Sequence, residues 1–425
     1  QEVDVQVKAV TITMQQIADF LRNTKIPILT CKNFRSYQKI FDYIETNYIS
    51  RLEPEITNIE NIKIPNSSNS FNLSTVLITG VTGFLGIHLL HDLLLNKKVK
   101  KIYCIIRNKI GLDGNVRLKN MIDFYYDSNE KLLKLIKEKV IVLNGDITLR
   151  HFNLSDDTYN LLKKTVTTVI NSAANVKHFA KPEQIKKDNV LSVDTIIDFC
   201  ENTISFAHIS TLSIAGFKAK NTLKDKIFTE NILYIKQTFN NNPYLISKFN
   251  AEKHVLEAIQ NRGLNAKIFR LGNIMPRQSD GKFQQNASQN IFISAIKAFL
   301  DLQVVPKELL NLNIEFSPVD ECAKAILCLM QDTSNSVYHI LNNNEITISE
   351  IISIFEKMGY NFTRVSMQKF VKKLNSLDDE YVKEYILSTN LNVFSQKKSL
   401  KILHSNDIYW SKPDEKYVGT IGDVS

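Results

Sequence analysis

The sequence predicts an α/β fold: a parallel sheet with helices on both faces. The pattern of apolar runs and one glycine-rich string point to it. Between Ser74 and Leu271, short apolar runs alternate with longer helical stretches. The runs are continuous rather than alternating apolar with polar, which is how strands read when both faces of a sheet are covered. A glycine-rich string sits directly between the first run and the first helical stretch.

The first strand is VLIT (76–79), followed by a helix over Phe84–Leu95. KIYCII (101–106) is the second strand, and an amphipathic helix near Leu132–Lys137 leads to the third, KVIVLN (139–144). TTVINS (167–172), ISFAHIS (204–210) and AKIFRL (266–271) supply the fourth to sixth, with helices at Asn189–Cys200 and Tyr244–Gln260 between them. After Pro276 the regularity breaks. IEFSPVD (314–320), SVYHIL (336–341) and amphipathic helices at Ser349–Met358 and Gln368–Asn375 predict a smaller, mostly helical lobe on the substrate side. Before Ser74, Gln15–Arg22 and Tyr37–Ile49 read as helical, and NIKIPNSSNS (61–70) as a polar linker.

Composition narrows the function classes. No apolar run reaches the ~18 residues that cross a bilayer; the longest candidate, Val76 to Leu95, contains three glycines, His88, His91 and Asp92. The five cysteines are far apart and form no CxxC, which argues against a disulfide framework or a zinc site and fits a reducing, cytoplasmic compartment. The net charge of +9 comes from short lysine clusters, not a basic stripe interleaved with aromatics, so a nucleic-acid partner is disfavoured. Such clusters are a solvated face or a docking surface for an acidic partner. The first residue is Gln, which reads as a fragment of something longer.

Thr79-Gly80-Val81-Thr82-Gly83-Phe84-Leu85-Gly86 joins the first strand to the first helix. Gly80 permits the tight turn, Gly83 lets backbone approach a pyrophosphate at the helix N-terminus, and Gly86 allows close helix–strand packing. The alternative is a purely structural turn. The second strand ends in Ile106-Arg107-Asn108-Lys109, where an NAD site usually carries an acid for the ribose. A guanidinium there pairs with a 2′-phosphate, so NADPH is favoured, unless Arg107 is an ordinary surface residue. Asp146, at the end of the third strand, either accepts from the adenine amino group or caps the next turn. The expected organisation is a lead-in and linker (1–70), a Rossmann-like doubly wound NADP-binding domain (71–275) and a substrate lobe (276–425).

Thr211 lies at the end of the fifth strand, and Tyr244 and Lys248 begin the next helix four residues apart, on one face. An ammonium so placed lowers the Tyr pKa and reaches a cofactor ribose, while the Thr hydroxyl holds the same carbonyl oxygen. Tyr159 and Lys163 repeat the spacing, but precede the strand that supplies the hydroxyl. His88 and His91 lack a third ligand and read as packing or surface residues. His178 follows the fourth strand near the substrate entrance and is a candidate contact. The Phe and Ile residues of Phe283–Phe299 build a core, or in part line an acyl pocket.

TGVTGFLG, the arginine after the second strand, GDIT, NSAANV, STLSIAG, YLISK and FRLGNIM occur in an order that resembles extended short-chain dehydrogenases. TGFLGIHLL, AANVKHFAKPEQIKKDNV and FSPVDECAKAIL resemble more closely the thioester reductase domains that end polyketide and nonribosomal peptide synthases and carboxylic acid reductases. The likeness covers residues 74–345 well and the C-terminal lobe weakly. It implies reduction of a carrier-bound thioester with NADPH, by Thr211, Tyr244 and Lys248. It further implies that Thr82, Phe84, Leu85 and Ile147 join Gly80, Gly83, Gly86, Arg107 and Asp146 around the cofactor. Ala173, Ala174, Asn189 and Lys248 complete that set, and Gly272 and Asn273 face the substrate with His178. The family often has Pro after the Arg of the sixth strand, where this chain has Leu271. No phosphopantetheine attachment motif occurs in 1–70, so an acyl or peptidyl carrier protein is expected as a partner outside this sequence. Rival readings are a free fatty-acyl-CoA reductase and a non-catalytic NADP-binding scaffold.

Overall fold

In the computed structural model the described residues are 4–7, 10–13 and 62–425, except 109–111, 128, 177–180, 201–202, 218–226, 240–241, 288–289, 377–381, 384–385, 387–392 and 425. The helices expected at Gln15–Arg22 and Tyr37–Ile49 lie outside them. The chain divides into two units, Gln1–Thr57 and Asn58–Ser425. Within the first, Asp4–Val7 pairs antiparallel with Val10–Thr13.

The second unit is organised by seven parallel strands: β1 (Thr75–Thr79), β2 (Lys101–Ile106), β3 (Val140–Asn144), β4 (Thr168–Asn171), β5 (Ser205–Thr211), β6 (Ala266–Leu271) and β7 (Val337–Ile340). Their spatial order is β7-β6-β5-β4-β1-β2-β3. The order reverses between β1 and β4, so their connections leave in opposite directions and open a crevice at the carboxyl ends, where ligands bind in such sheets.

Helix α1 (Phe84–Leu95) carries buried residues nearly all round, because the sheet covers one side and α8 (Val319–Leu329) packs on the other. Helices α2 (Gly114–Tyr126), α3 (Glu130–Lys139) and α4 (Asp156–Thr165) join the outer strands. The connection from β4 to β5 runs through Pro182–Lys186, a π-helical turn at Lys187–Leu191, and α5 (Ser192–Phe199). Helix α6 (Pro243–Arg262) has strong ends. Asn242 accepts from the amides of Tyr244 (3.0 Å) and Leu245 (3.2 Å), Pro243 sits in the first turn, and Gly263 ends the helix at φ +68°.

Beyond β6, α7 (Ile291–Leu302) and α9 (Ile348–Lys357) share a core with Phe283, Phe316, Phe355 and Tyr417, and α10 (Met367–Leu374) packs against α7. Helices α11 (Lys397–His404) and α12 (Glu415–Val424) complete the chain. Val337–Ile340, expected in the lobe, is the sheet's edge strand beside β6, and α8 covers the helix behind the glycine loop. The stretch 62–70 is not a free linker: Ser68 N donates to Thr333 O (2.9 Å), and its hydroxyl to Asn335 O (2.6 Å). Among the described residues no helix is long and apolar enough to cross a membrane, and the four described cysteines are free.

Candidate functional site

A cleft of about 220 Å³ opens at the carboxyl ends of β1, β2, β3 and β4. Its floor is the loop between β1 and α1. Gly80 has φ +70°, and a Cβ there would stand 2.5 Å from the backbone of Ser172 and Ala173. A Cβ on Gly86 would meet the Gly80 carbonyl at 2.1 Å. Both positions therefore demand glycine. Gly83 N donates to Gly80 O (2.8 Å), and no side chain caps the first turn of α1, leaving its amides for an anion.

Gly80, Thr82, Gly83, Arg107, Ile147, Ala173 and Ala174 line this cleft. Others of the predicted set lie behind it. Phe84 turns its ring to Phe283 (5.1 Å between centroids) and His88, and Leu85 is buried in the core, so only backbone from this pair is at the helix N-terminus. Asp146 accepts through Oδ1 from the amide (2.9 Å) and hydroxyl (2.8 Å) of Thr148, the turn-capping alternative. Asn189 is buried, accepts from Asn175 N (2.7 Å) and donates to Asn175 O (3.0 Å) and Ser247 Oγ (2.9 Å). It ties a cleft loop to α6 between Tyr244 and Lys248. His178 and Lys109 lie outside the described residues.

Two charged residues missed in the sequence complete the cleft. Arg117, on α2, donates to Thr82 Oγ1 (3.0 Å) and to the Arg107 carbonyl. Burial, then the neighbouring Arg107 charge, lowers its pKa. Asp188, on the π-helical turn, faces Arg107 at 3.5 Å. The polar run that holds Arg117, GNVRLK, gave no strong helical period, so nothing placed that side chain beside the glycine loop.

At the ends of β5 and α6 the environment is drier. Tyr244 is hydrogen-bonded to Thr211; burial pushes its pKa up to about 12, and the Thr211 hydroxyl works in the opposite direction. Thr211 Oγ1 also accepts from Ser213 N (3.1 Å). Lys248 is buried and donates to Ile209 O (2.6 Å). Burial lowers it to about 8, and the Glu252 carboxylate one turn along opposes this. The Thr211 hydroxyl is thus a neighbour that eases Tyr244 toward ionisation. Thr211, Tyr244 and Lys248 are brought together. Tyr159 is not part of this group: it is buried on α4, stacked on His151 (4.3 Å) and packed on Phe199.

Gly272 and Asn273 follow β6, beside Thr211, whose backbone partner is Leu271. They rest on Glu315, a buried acid also missed in the sequence. Asn273 N donates to it (2.8 Å), Ser317 donates its hydroxyl, and a Cβ on Gly272 would meet the carboxylate at 2.6 Å. Burial raises Glu315 to about 7. Arg270 points away from the loop, into a fully buried pair with Glu252 (2.8 Å), and donates to Thr229 O and Ile232 O. His91 stacks on Tyr126 (4.0 Å), and among the described residues no His, Cys, Asp or Glu cluster has metal-site geometry.

Known proteins resemble this arrangement. The NAD-binding family described as "Male sterility protein" matches residues 78–326. A Dictyostelium discoideum protein named "Probable polyketide synthase 6" is 28% identical over 388 residues, covering 88% of this chain and 13% of its own length. The chain thus spans about an eighth of that relative. A thiolation-reductase di-domain from an archaeal nonribosomal peptide synthetase superposes with a TM-score of 0.73 at 30% identity, over 91% of this chain and 81% of its own. The reductase domain of the aureusimine biosynthetic cluster follows at 0.69 and 25%, over 89% and 98%.

Proposed function

The chain belongs to the NAD-binding male sterility protein family, and from that premise we propose that it reduces an acyl thioester to an aldehyde with NADPH, as the release domain of a polyketide or peptide synthase. One observation carries the reading: a proton-donor group of Thr211, Tyr244 and Lys248 stands on the same sheet edge as a glycine-floored cleft walled by two guanidiniums. The glycine cradle and the uncapped α1 N-terminus fit a pyrophosphate, and Arg107 and Arg117 fit a 2′-phosphate. The bound dinucleotide would supply hydride to the thioester carbonyl carbon.

The chain's own groups handle the oxygen and its proton. Thr211 and Tyr244 donate to the carbonyl oxygen, and Tyr244 gives it a proton as the carbon is reduced. A tyrosine raised to about 12 is protonated at every working pH, which suits a donor in the reductive direction. Lys248, near 8, would hold the ribose and return the proton. The hemithioacetal then loses thiol, its hydroxyl proton passing to the sulfur, and aldehyde remains.

A thioester on a phosphopantetheine arm fits the relatives' nature as synthases. Carrier docking on a chain of charge +9 would be screened as the Debye length shrinks from ~10 Å at 0.1 M salt to ~3 Å at 1 M. Measured across that range, kcat/KM for an acyl-carrier should exceed that for the matching acyl-CoA at low salt and lose the margin at high salt. Identical values throughout would leave a free acyl-CoA reductase as the better reading.

A further inference from the structure

The cleft holds two cations and one acid. Among the described residues that line it, Asp188 is the single carboxylate, against Arg107 and Arg117. Its position is fixed from below. The side chain is 10% exposed, Oδ2 accepts from Asn175 Nδ2 (2.9 Å), and the backbone carbonyl accepts from Ser192 Oγ (2.6 Å). Oδ1 is buried and accepts no hydrogen bond; its neighbour is the Arg107 guanidinium at 3.5 Å. That guanidinium is 59% exposed and free to be drawn elsewhere.

Resting on the NADPH reading of this cleft, we propose that Asp188 is a cofactor-selectivity residue set against the two arginines. It competes with a 2′-phosphate for Arg107, whereas a nucleotide that brings no such phosphate leaves the Arg107–Asp188 pair in place. A phosphate monoester carries about −1.5 to −2 charge at pH 7. Two guanidiniums alone match that charge, and the carboxylate leaves a third to a half of it uncompensated. Asp188 therefore narrows the preference that Arg107 and Arg117 create.

Calorimetric titration of the folded protein with 2′,5′-ADP and with 5′-AMP tests this without turnover. Asp188→Asn keeps the acceptor for Asn175 and removes the charge. The ratio of the 5′-AMP to the 2′,5′-ADP dissociation constant should rise about fivefold, the upper end for a solvent-screened ion pair. In an Arg107→Ala background the rise should shrink below about twofold, since the competition is for that guanidinium. A ratio that stays constant or falls in Asp188→Asn overturns the proposal, as does an equal rise without Arg107. Should Asp188→Asn fail to fold, Asp188→Ser is judged by the same ratio. Equal affinities for both nucleotides in the unsubstituted protein would count against the NADPH reading instead, while the change between variants still decides the role of Asp188.

Discussion

The two ends of the site are built on opposite physical terms. At the proposed nucleotide end, Arg107 is more than half exposed and its acidic neighbour Asp188 is 3.5 Å away, so the charges there are ones that water and salt attenuate. At the proposed carbonyl end, Lys248 is buried, Tyr244 is raised by burial, and Arg270 and Glu252 are paired with no exposure at all. Recognition of a charged, soluble cofactor tolerates a wet, adjustable surface. Proton delivery to a carbonyl needs groups whose protonation is set by desolvation and whose positions do not move. Substitutions at the dry end should therefore cost far more than substitutions at the wet end.

The largest effect belongs to Tyr244→Phe, which keeps the ring and removes the proton. Turnover should fall by about 10²–10⁴ with little change in NADPH affinity, whereas Tyr159→Phe should stay within about twofold of the parent. The reverse pattern in steady-state assays would reassign the donor. Next is Glu252→Ala, which leaves Arg270 charged and unpaired in the core. Breaking such a pair costs about 3–5 kcal/mol, read as a lower urea midpoint. A loss below 1 kcal/mol would show that this end is wetter than its burial indicates.

The pH profile distinguishes the ends further. Lys248 carries its charge below about 8 and loses it above, because burial has lowered it from 10.5. Free-enzyme kcat/KM should hold from about pH 6 to 7.5 and then fall roughly tenfold per unit above 8. A flat profile to pH 9.5 would remove the ammonium from the mechanism. The smallest effect is expected at the wet end. Arg107→Ala should weaken NADPH about tenfold, leave NADH nearly unchanged, and matter less as salt rises. Equal losses for both cofactors would place Arg107 on a group they share.

The same division governs what the sequence disclosed. VLIT, KIYCII and AKIFRL are buried on both faces, so they read as unbroken apolar runs, and α1 was legible from Phe84 to Leu95 because glycines mark its start. Tyr244 and Lys248 share one helical turn, and Thr211 ends a legible strand. What stayed hidden comes together only through the fold. Val337–Ile340 looked like part of the lobe because more than sixty residues separate it from its partner strand. Glu315 meets Gly272 and Asn273 across about forty residues, and Glu252 meets Arg270 from a different element; neither pairing has a spacing signature. Arg117 and Asp188 needed the weak α2 period and the π-helical turn to be placed at all.

Product stoichiometry in a single vessel decides whether the chain reduces a thioester to an aldehyde. An octanoyl-loaded carrier is mixed with the protein and NADPH, and the free thiol, the trapped aldehyde and the oxidised cofactor are counted together. The expected result is one of each per thioester consumed in the parent protein, and formation of all three slowed by about 10²–10⁴ in Tyr244→Phe despite undiminished NADPH binding. Tight NADPH binding by the parent protein with no thiol released from acyl-carrier or acyl-CoA would contradict it, and leave a nucleotide-binding scaffold in its place.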